Sequence, residues 1–359
     1  MRRNPTIGEA FADAGGYTAG FDYQRLGLAC AVLCWHSLWI SGNRGAEDAI
    51  RSSAFLFFPA AIIPMFFALS GFLVANSLQR TKLPEFITLR IIRIVPALAV
   101  EVTLSAIVLG AAFTTLPLSS YFFDSDFYAY FLNIVGFVHF ELPGVFSDNP
   151  APHVVNAQLW TIPFELECYL VLIFLSLFKF SSRRGLFLCV VVALSLALTG
   201  WSFFHSEFQD TYVTGRVPVL CFLAAVAIHL YRDKIPCSTA AGCACLVVSF
   251  VLLPRQSTAF LAAFPMAYAT VWLGLKRPPK IPFGDLSYGI YLFHFPIEQT
   301  IVHLLPGIRS WWLLSLMALP VATAFAWLSW TFVEGPILRR KKIIALNRYA
   351  VGKRCLLIR

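Results

Sequence analysis

FLFFPAAIIPMFFALSGFLVANSL, residues 55–78, contains no Asp, Glu, Lys or Arg. As a helix rising about 1.5 Å per residue it is about 36 Å long, more than the roughly 30 Å hydrocarbon core of a bilayer. Within that core every backbone N–H and C=O must be bonded inside the chain, and a single unpaired run achieves this as a helix. Comparable apolar runs lie at 26–41, 94–116, 158–178, 185–203, 213–231, 238–254, 259–275, 285–304 and 311–333. The expected fold is all-α: a polytopic transmembrane helical bundle of about ten spans, with residues 1–359 forming a single integral-membrane domain.

Composition agrees. The chain is 58% apolar and 13% charged, with a mean hydropathy of +0.71, whereas soluble domains are about 25% charged. Its 34 Phe and 9 Trp suit lipid contact and helix packing. Cysteines such as Cys30, Cys34, Cys189, Cys221, Cys243 and Cys245 sit singly in apolar runs, without zinc spacing, and read as small buried hydrophobes. No metal site is expected. No secretory signal is visible, since a polar segment too long for an n-region precedes the first apolar run. No soluble domain is expected at either end.

The charges set the expected orientation. Lys and Arg cluster at the N-terminus and at 80–93, 179–184, 232–234, 276–280 and 339–359. With ten spans these clusters share one side, which then holds about 23 of the 28 basic residues, as the positive-inside rule requires. Arg44, Arg51, Arg216, Arg255 and Arg309 fall on the other side, with acids that include Glu47, Asp48, Asp124, Asp126, Glu141, Asp148, Glu207 and Asp210. Both termini are therefore expected in the cytoplasm: a polar segment 1–24 and a basic tail 337–359. The net charge of +9 is a topology signal, and no nucleic-acid partner is implied. The longest outward loop, 117–157, is rich in Pro, Asn and aromatics and suits a polar ligand. Its stretch 121–140, broken by Asp124, Asp126 and Asn133, reads as an interfacial or re-entrant piece, with an eleventh span as the alternative.

Polar groups inside spans are costly and mark function or a partner. In RLGLACAVLCWHS (25–37), Arg25 and His36 return to nearly the same helix face about 16 Å apart. Histidine is the usual general base near neutral pH, although a lone buried His is more often a satisfied core residue. In FFALSGFLVANSL, Ser70 and Gly71 permit close backbone approach. In FITLRIIRIVPAL, Arg90 and Arg93 share a face at the start of a span, as a phosphate clamp or as simple anchors. Glu101, about 12 Å deeper, needs a partner or a cavity. VNAQLWTIPFELECYL brings Asn156, Gln158 and Trp160 ahead of Glu165, while Glu165 and Glu167 point to roughly opposite faces. In FGDLSYGIYLFHFPIEQTI, Ser287, Tyr291, His294 and Glu298 form a polar stripe that must face a cavity or another polar helix.

These five segments, in this order, together with FVEGP (Phe332 to Pro336), closely resemble the acyltransferase-3 family of integral-membrane O-acyltransferases. The resemblance spans nearly the whole chain. Ala157 stands where the family often has Gly, and no esterase-like domain follows, which points to a stand-alone enzyme. The resemblance implies transfer of an acyl group, usually acetyl, from cytoplasmic acyl-coenzyme A to a hydroxyl of a periplasmic, cell-surface or lipid-linked carbohydrate, at a bacterial inner membrane. It makes His36 the essential base or acyl relay, with Arg25 in the same catalytic pair and Glu165 a functional acid. Arg90 and Arg93, with Ser70 and Gly71, would hold the coenzyme A, and Asn156, Gln158, Trp160, Tyr291 and His294 would face the substrate. Two rivals remain at this point. A proton-coupled transporter could use Glu101, Glu165, His36 and His294 as a relay, although paired broken helices or similar halves are not evident. A protein that moves or polymerises glycans without acyl chemistry is the other.

Overall fold

The computed structural model describes residues 4–178, 183–204 and 215–338. Residues 339–359 of the basic tail, residues 179–182 of the basic stretch 179–184 and the acids Glu207 and Asp210 lie outside the described residues. Among those described, the chain is all-helical, with three isolated β-bridges and no strand.

The N-terminal segment is not a loose polar tail. Thr6 and Glu9 form a reciprocal capping box that starts α1 (Ile7–Asp13), whose Ile7 and Phe11 are buried in a core cluster with Phe21 and Phe72. Backbone bonds from Ile7 to Ile235 and from Cys237 to Pro5 tie this segment to a later loop. α2 (Ala19–Ile40) begins several residues before the apolar run does. α3 (Arg44–Arg51) is short, and α4 (Phe57–Arg80) coincides with the run that opens this section. α5 (Leu83–Thr103) continues through a π-helical turn, Leu104–Leu109, into α6 (Gly110–Phe113).

The stretch 121–140 breaks into α7 (Leu118–Phe123), α8 (Ser125–Tyr130) and a 3₁₀ turn, pieces too short to cross a bilayer. The polar residues that interrupt it act as caps: Asp124 accepts from the Asp126 N–H, and Asn133 bonds the backbone of Tyr130 and His139. There follow α9 (Ile162–Leu177), α10 (Arg184–Phe204), α11 (Arg216–Leu230), α12 (Thr239–Leu252), α13 (Ala263–Gly274), α14 (Ser287–Leu304) and α15 (Trp311–Ser329).

A helix thus occupies each of the ten apolar stretches. Five, at Ala54–Arg80, Leu83–Phe113, Ala157–Leu177, Arg184–Phe204 and Trp311–Leu338, are long and apolar enough to span a membrane by themselves. The protein is an integral membrane protein. α4 and α14 are its buried heart. α4 packs on α11, where a Cβ at Gly71 would stand 2.3 Å from the Phe222 carbonyl oxygen, and α14 packs against α15 and α2.

Candidate active site

Two cavities share part of their lining. The larger, about 320 Å³, is lined by Arg25, Ser70, Arg90, Arg93, Glu165 and Tyr291 among others. Asn76 and Ile63, both on α4, mark its length: thirteen residues of helix, or about 20 Å. The smaller, about 110 Å³, is lined by Val32, Trp35, His36, Pro59, Trp160 and their neighbours. Ile63 and Tyr291 line both.

At the mouth of the larger cavity the arginines are not equivalent. Asp285, in the loop before α14, accepts from Arg93 at 2.6 Å and from Arg25 at 3.4 Å. The Ser287 hydroxyl and N–H also donate to it. Burial alone would raise this carboxyl, but the Arg93 and Arg25 guanidiniums and the Ser287 bonds overcome it and hold the group well below the usual carboxylate range. Arg93 also reaches Glu334 of the FVEGP segment at 3.6 Å and lies over the Tyr288 ring. Arg25 donates to the Tyr17 hydroxyl at 3.2 Å. Arg90 pairs with no carboxylate among the described residues. Its guanidinium sits over Phe86 and Tyr169, and its Nε has no hydrogen-bond partner. The expected two-arginine clamp is therefore one arginine fixed by acids and one with unspent donors.

The structure does not bring Arg25 and His36 together. Each faces a different cavity, and Arg25 is committed to Asp285 and Tyr17. The partner of His36 is His294: their rings lie within 4° of parallel and meet edge to edge, with centroids 5.1 Å apart and His36 Nδ1 2.8 Å from His294 Nε2. The neighbours assign the protons. His294 Nδ1 faces the carbonyls of Tyr291 at 2.8 Å and Ile290 at 3.2 Å, which can only accept, so that nitrogen carries the hydrogen. His294 Nε2 must then accept from His36 Nδ1–H. The lone pair of His36 is left on Nε2, which bonds no other side chain among the described residues, beside the smaller cavity. A neutral histidine held in one tautomer by a second group is the arrangement of a general base.

The rest of the stripe on α14 is spent on neighbours. The Tyr291 hydroxyl lies 2.7 Å from Thr161 Oγ1 and donates to the Gln158 carbonyl at 2.6 Å. Ser37 donates to Glu298 at 2.6 Å, and Ser315 to Ser37 at 2.9 Å. Glu101 accepts from Ser105 and Asn156, each at 2.7 Å, and Asn156 also contacts the Tyr130 hydroxyl. Asn156 and Gln158 are both fully buried, and Gln158 donates to the Leu292 carbonyl at 2.6 Å. Asn156 and Gln158, expected to face substrate, fasten the loop to the bundle here and line neither cavity. Gly71 likewise serves helix contact and not the cavity wall. Trp160 does line the smaller cavity, and Glu165 the larger, where it accepts from the Tyr169 hydroxyl. Glu167 turns away to Arg216 at the exposed side of α9, as the two-residue spacing predicts. No group of three or more His, Cys, Asp or Glu suited to a metal ion occurs among the described residues.

Asp285, Glu334, Tyr17, Tyr169 and Ile63 escaped the sequence reading. Asp285 and Glu334 stood inside quoted segments, and the signal was there: an acid at the end of an apolar run invites a search for its arginine.

A family model described as an acyltransferase domain matches residues 18–331. The chain belongs to the acyltransferase-3 family. Its relatives share modest identity over long stretches. Nodulation protein 10 of Rhizobium leguminosarum bv. viciae is 27% identical over 96% of this chain and all of that protein. An O-acetyl transferase of Shigella phage Sf6 is 23% identical over 89% of this chain and 96% of its own. The peptidoglycan O-acetyltransferase OatA of Listeria monocytogenes is 25% identical over 77% of this chain, which spans half the length of that protein. No solved structure matches. Membership makes this acyltransferase-3 protein a membrane O-acyltransferase, and the transporter and glycan-mover readings give way to it.

Proposed function

We propose that the protein moves an acyl group, most simply acetyl, from cytoplasmic acyl-coenzyme A to a hydroxyl of a carbohydrate on the far face of a bacterial inner membrane. One observation carries the reading: an arginine-lined cavity about 20 Å long shares Ile63 and Tyr291 with a smaller chamber in which a histidine keeps a bare nitrogen. A donor with a phosphate head and a long thin arm matches the first, and a hydroxyl awaiting deprotonation matches the second. In this reading all ten helices cross the membrane, both termini are cytoplasmic, and the paired arginines mark the inner mouth. The relatives named as O-acetyltransferases supply the acetyl group and the oxygen acceptor.

Arg90, with donors to spare, takes the donor phosphates, and Arg93 and Arg25 form the rim around Asp285. Ser70 and Glu165 hold the arm. Trp160 and Tyr291 flank the reacting groups, and His294 is a positioning residue that fixes the tautomer of His36. The acceptor oxygen attacks the thioester carbonyl while His36 Nε2 takes the hydroxyl proton. The new C–O bond forms, the C–S bond breaks, and the departing thiolate recovers the proton from His36. The products are the ester and free coenzyme A. A thioester is already activated, so proximity and one base suffice. The test is coenzyme A release from acetyl-coenzyme A by purified protein, together with mass spectrometry of surface glycans from cells carrying wild type or His36→Ala. Equal acetylation by both proteins would remove His36 from the chemistry. No thiol release by wild type would remove the donor.

A further inference from the structure

We propose that Ile63 sets the length of acyl chain the protein transfers, by forming the adjustable side of the passage between the two cavities. The inference rests on the donor reading above. An acyl group carried up the larger cavity must enter the smaller one to reach His36, and Ile63 and Tyr291 line both. The receiving chamber, about 110 Å³ against about 320 Å³, must also admit the acceptor hydroxyl. Each added methylene therefore has to fit beside a wall residue at the junction.

The two sides of the junction differ in kind. Tyr291 is pinned: its hydroxyl is bonded to Thr161 and the Gln158 carbonyl, Phe66 packs edge-on against its ring at 6.0 Å, and the side chain is buried. Ile63 has no polar anchor, being an aliphatic side chain on α4, half-buried against the core. It is β-branched, and in a helix such a side chain keeps essentially one rotamer, so it acts as a stop and not as a flap. Ala60, one turn earlier on α4, also lines the smaller cavity and presents only a methyl group there. Shortening Ile63 widens the passage beside it, and enlarging Ile63 closes it.

The experiment compares acetyl-, propionyl- and butyryl-coenzyme A as donors to wild type, Ile63→Val, Ile63→Ala and Ile63→Phe in detergent. It reads thiol release with water as acceptor: water adds to the carbonyl, the C–S bond breaks, and acid and thiol result. Thermal melting with free coenzyme A checks folding separately, and Ile63→Val, one methylene smaller, secures at least one folded variant. Wild type is expected to favour acetyl. The butyryl-to-acetyl rate ratio should rise in the order Phe, Ile, Val, Ala, by roughly fourfold per methylene of space, the fold-change that burying one CH₂ is worth. A ratio constant within twofold across the series, with wild type active on acetyl-coenzyme A, overturns the inference and leaves the donor reading standing. No thiol release and no melting shift in wild type with any coenzyme A compound overturns both.

Discussion

α4 and α10 are both apolar enough to span a membrane, yet 61% of the most apolar stretch of α4 is buried inside the protein against 22% for α10. α10 turns Leu186, Val190, Leu196 and Phe203 outward and is uncharged after Arg184. α4 carries Ser70 and Asn76 inward to the larger cavity and, through Gly71, lets α11 approach at backbone distance. α14 goes further, burying His294, Glu298 and Gln299 completely. Polar side chains are placed within the bilayer only where neighbouring helices supply partners, because lipid offers none. Hydropathy finds both kinds of helix, but only packing tells the central from the peripheral: α11 is buried from Val217 to His229 with His229 its one polar side chain in that stretch.

The largest effect should come from breaking the centre at its base. His36→Ala should lower transfer by on the order of 100-fold to 10,000-fold, the usual cost of losing a general base, with membrane insertion intact. His294→Ala should cost less, because it loosens the tautomer and leaves the base in place, and His294→Gln should recover part of the loss. A dead His294→Ala beside an active His36→Ala would reverse the two roles. The measurement is glycan acetylation, with membrane content checked by immunoblot.

Next are the two arginines, which one motif presents as equals. Arg90→Gln should weaken donor binding by about tenfold to a hundredfold, since charge-assisted contacts are worth roughly 1.5–3 kcal/mol. Arg93→Gln should act mainly on stability, because it strands Asp285 and Glu334. Equal shifts in donor KM, with equal melting temperatures, would return them to a symmetric clamp.

Asp285→Asn tests the same cluster from the acid side. It leaves Arg25 and Arg93 without their shared anion and should cost about 2 kcal/mol, less than a fully buried pair because all three groups keep some solvent contact. The folded pKa lies below the unfolded value of about 3.9, so the contribution is complete above that value and is lost only on acidification below it. The penalty should therefore be constant from about pH 5 to pH 8; a melting difference that changes across that window would assign it elsewhere.

The smallest effect belongs to the rim. Leu196→Ala on α10 removes a lipid-facing side chain, 58% exposed, and association in lipid gains little from apolar area alone. Activity and melting should stay close to wild type, and a loss matching that of Arg93→Gln would show that the Leu196 face of α10 is covered by a partner.

Much of the architecture was legible because helix formation in a membrane is a local requirement. The run at 55–78 became Phe57–Arg80, and the stretch 121–140 does break at Asp124, which caps the next short helix. The first twenty-four residues read as a polar segment because Ile7 and Phe11 are too few to register as an apolar run, and it is packing that buries both.

The candidate site divides along the same line. From the chain alone came the helices, the family, and His36, Arg90 and Glu165 as residues to examine, because hydropathy, motif order and helical spacing are properties of one segment at a time. Only the packing of α2 against α14 decided that His36 answers to His294 and not to Arg25, which shares its helix face. Only the approach of the 285 loop and the FVEGP turn decided that Arg93 is held by acids and Arg90 is not. A proton's place on an imidazole, the partner of an arginine and the room beside Ile63 are set by atoms from distant segments within a few ångströms, and one-dimensional spacing carries no record of that distance.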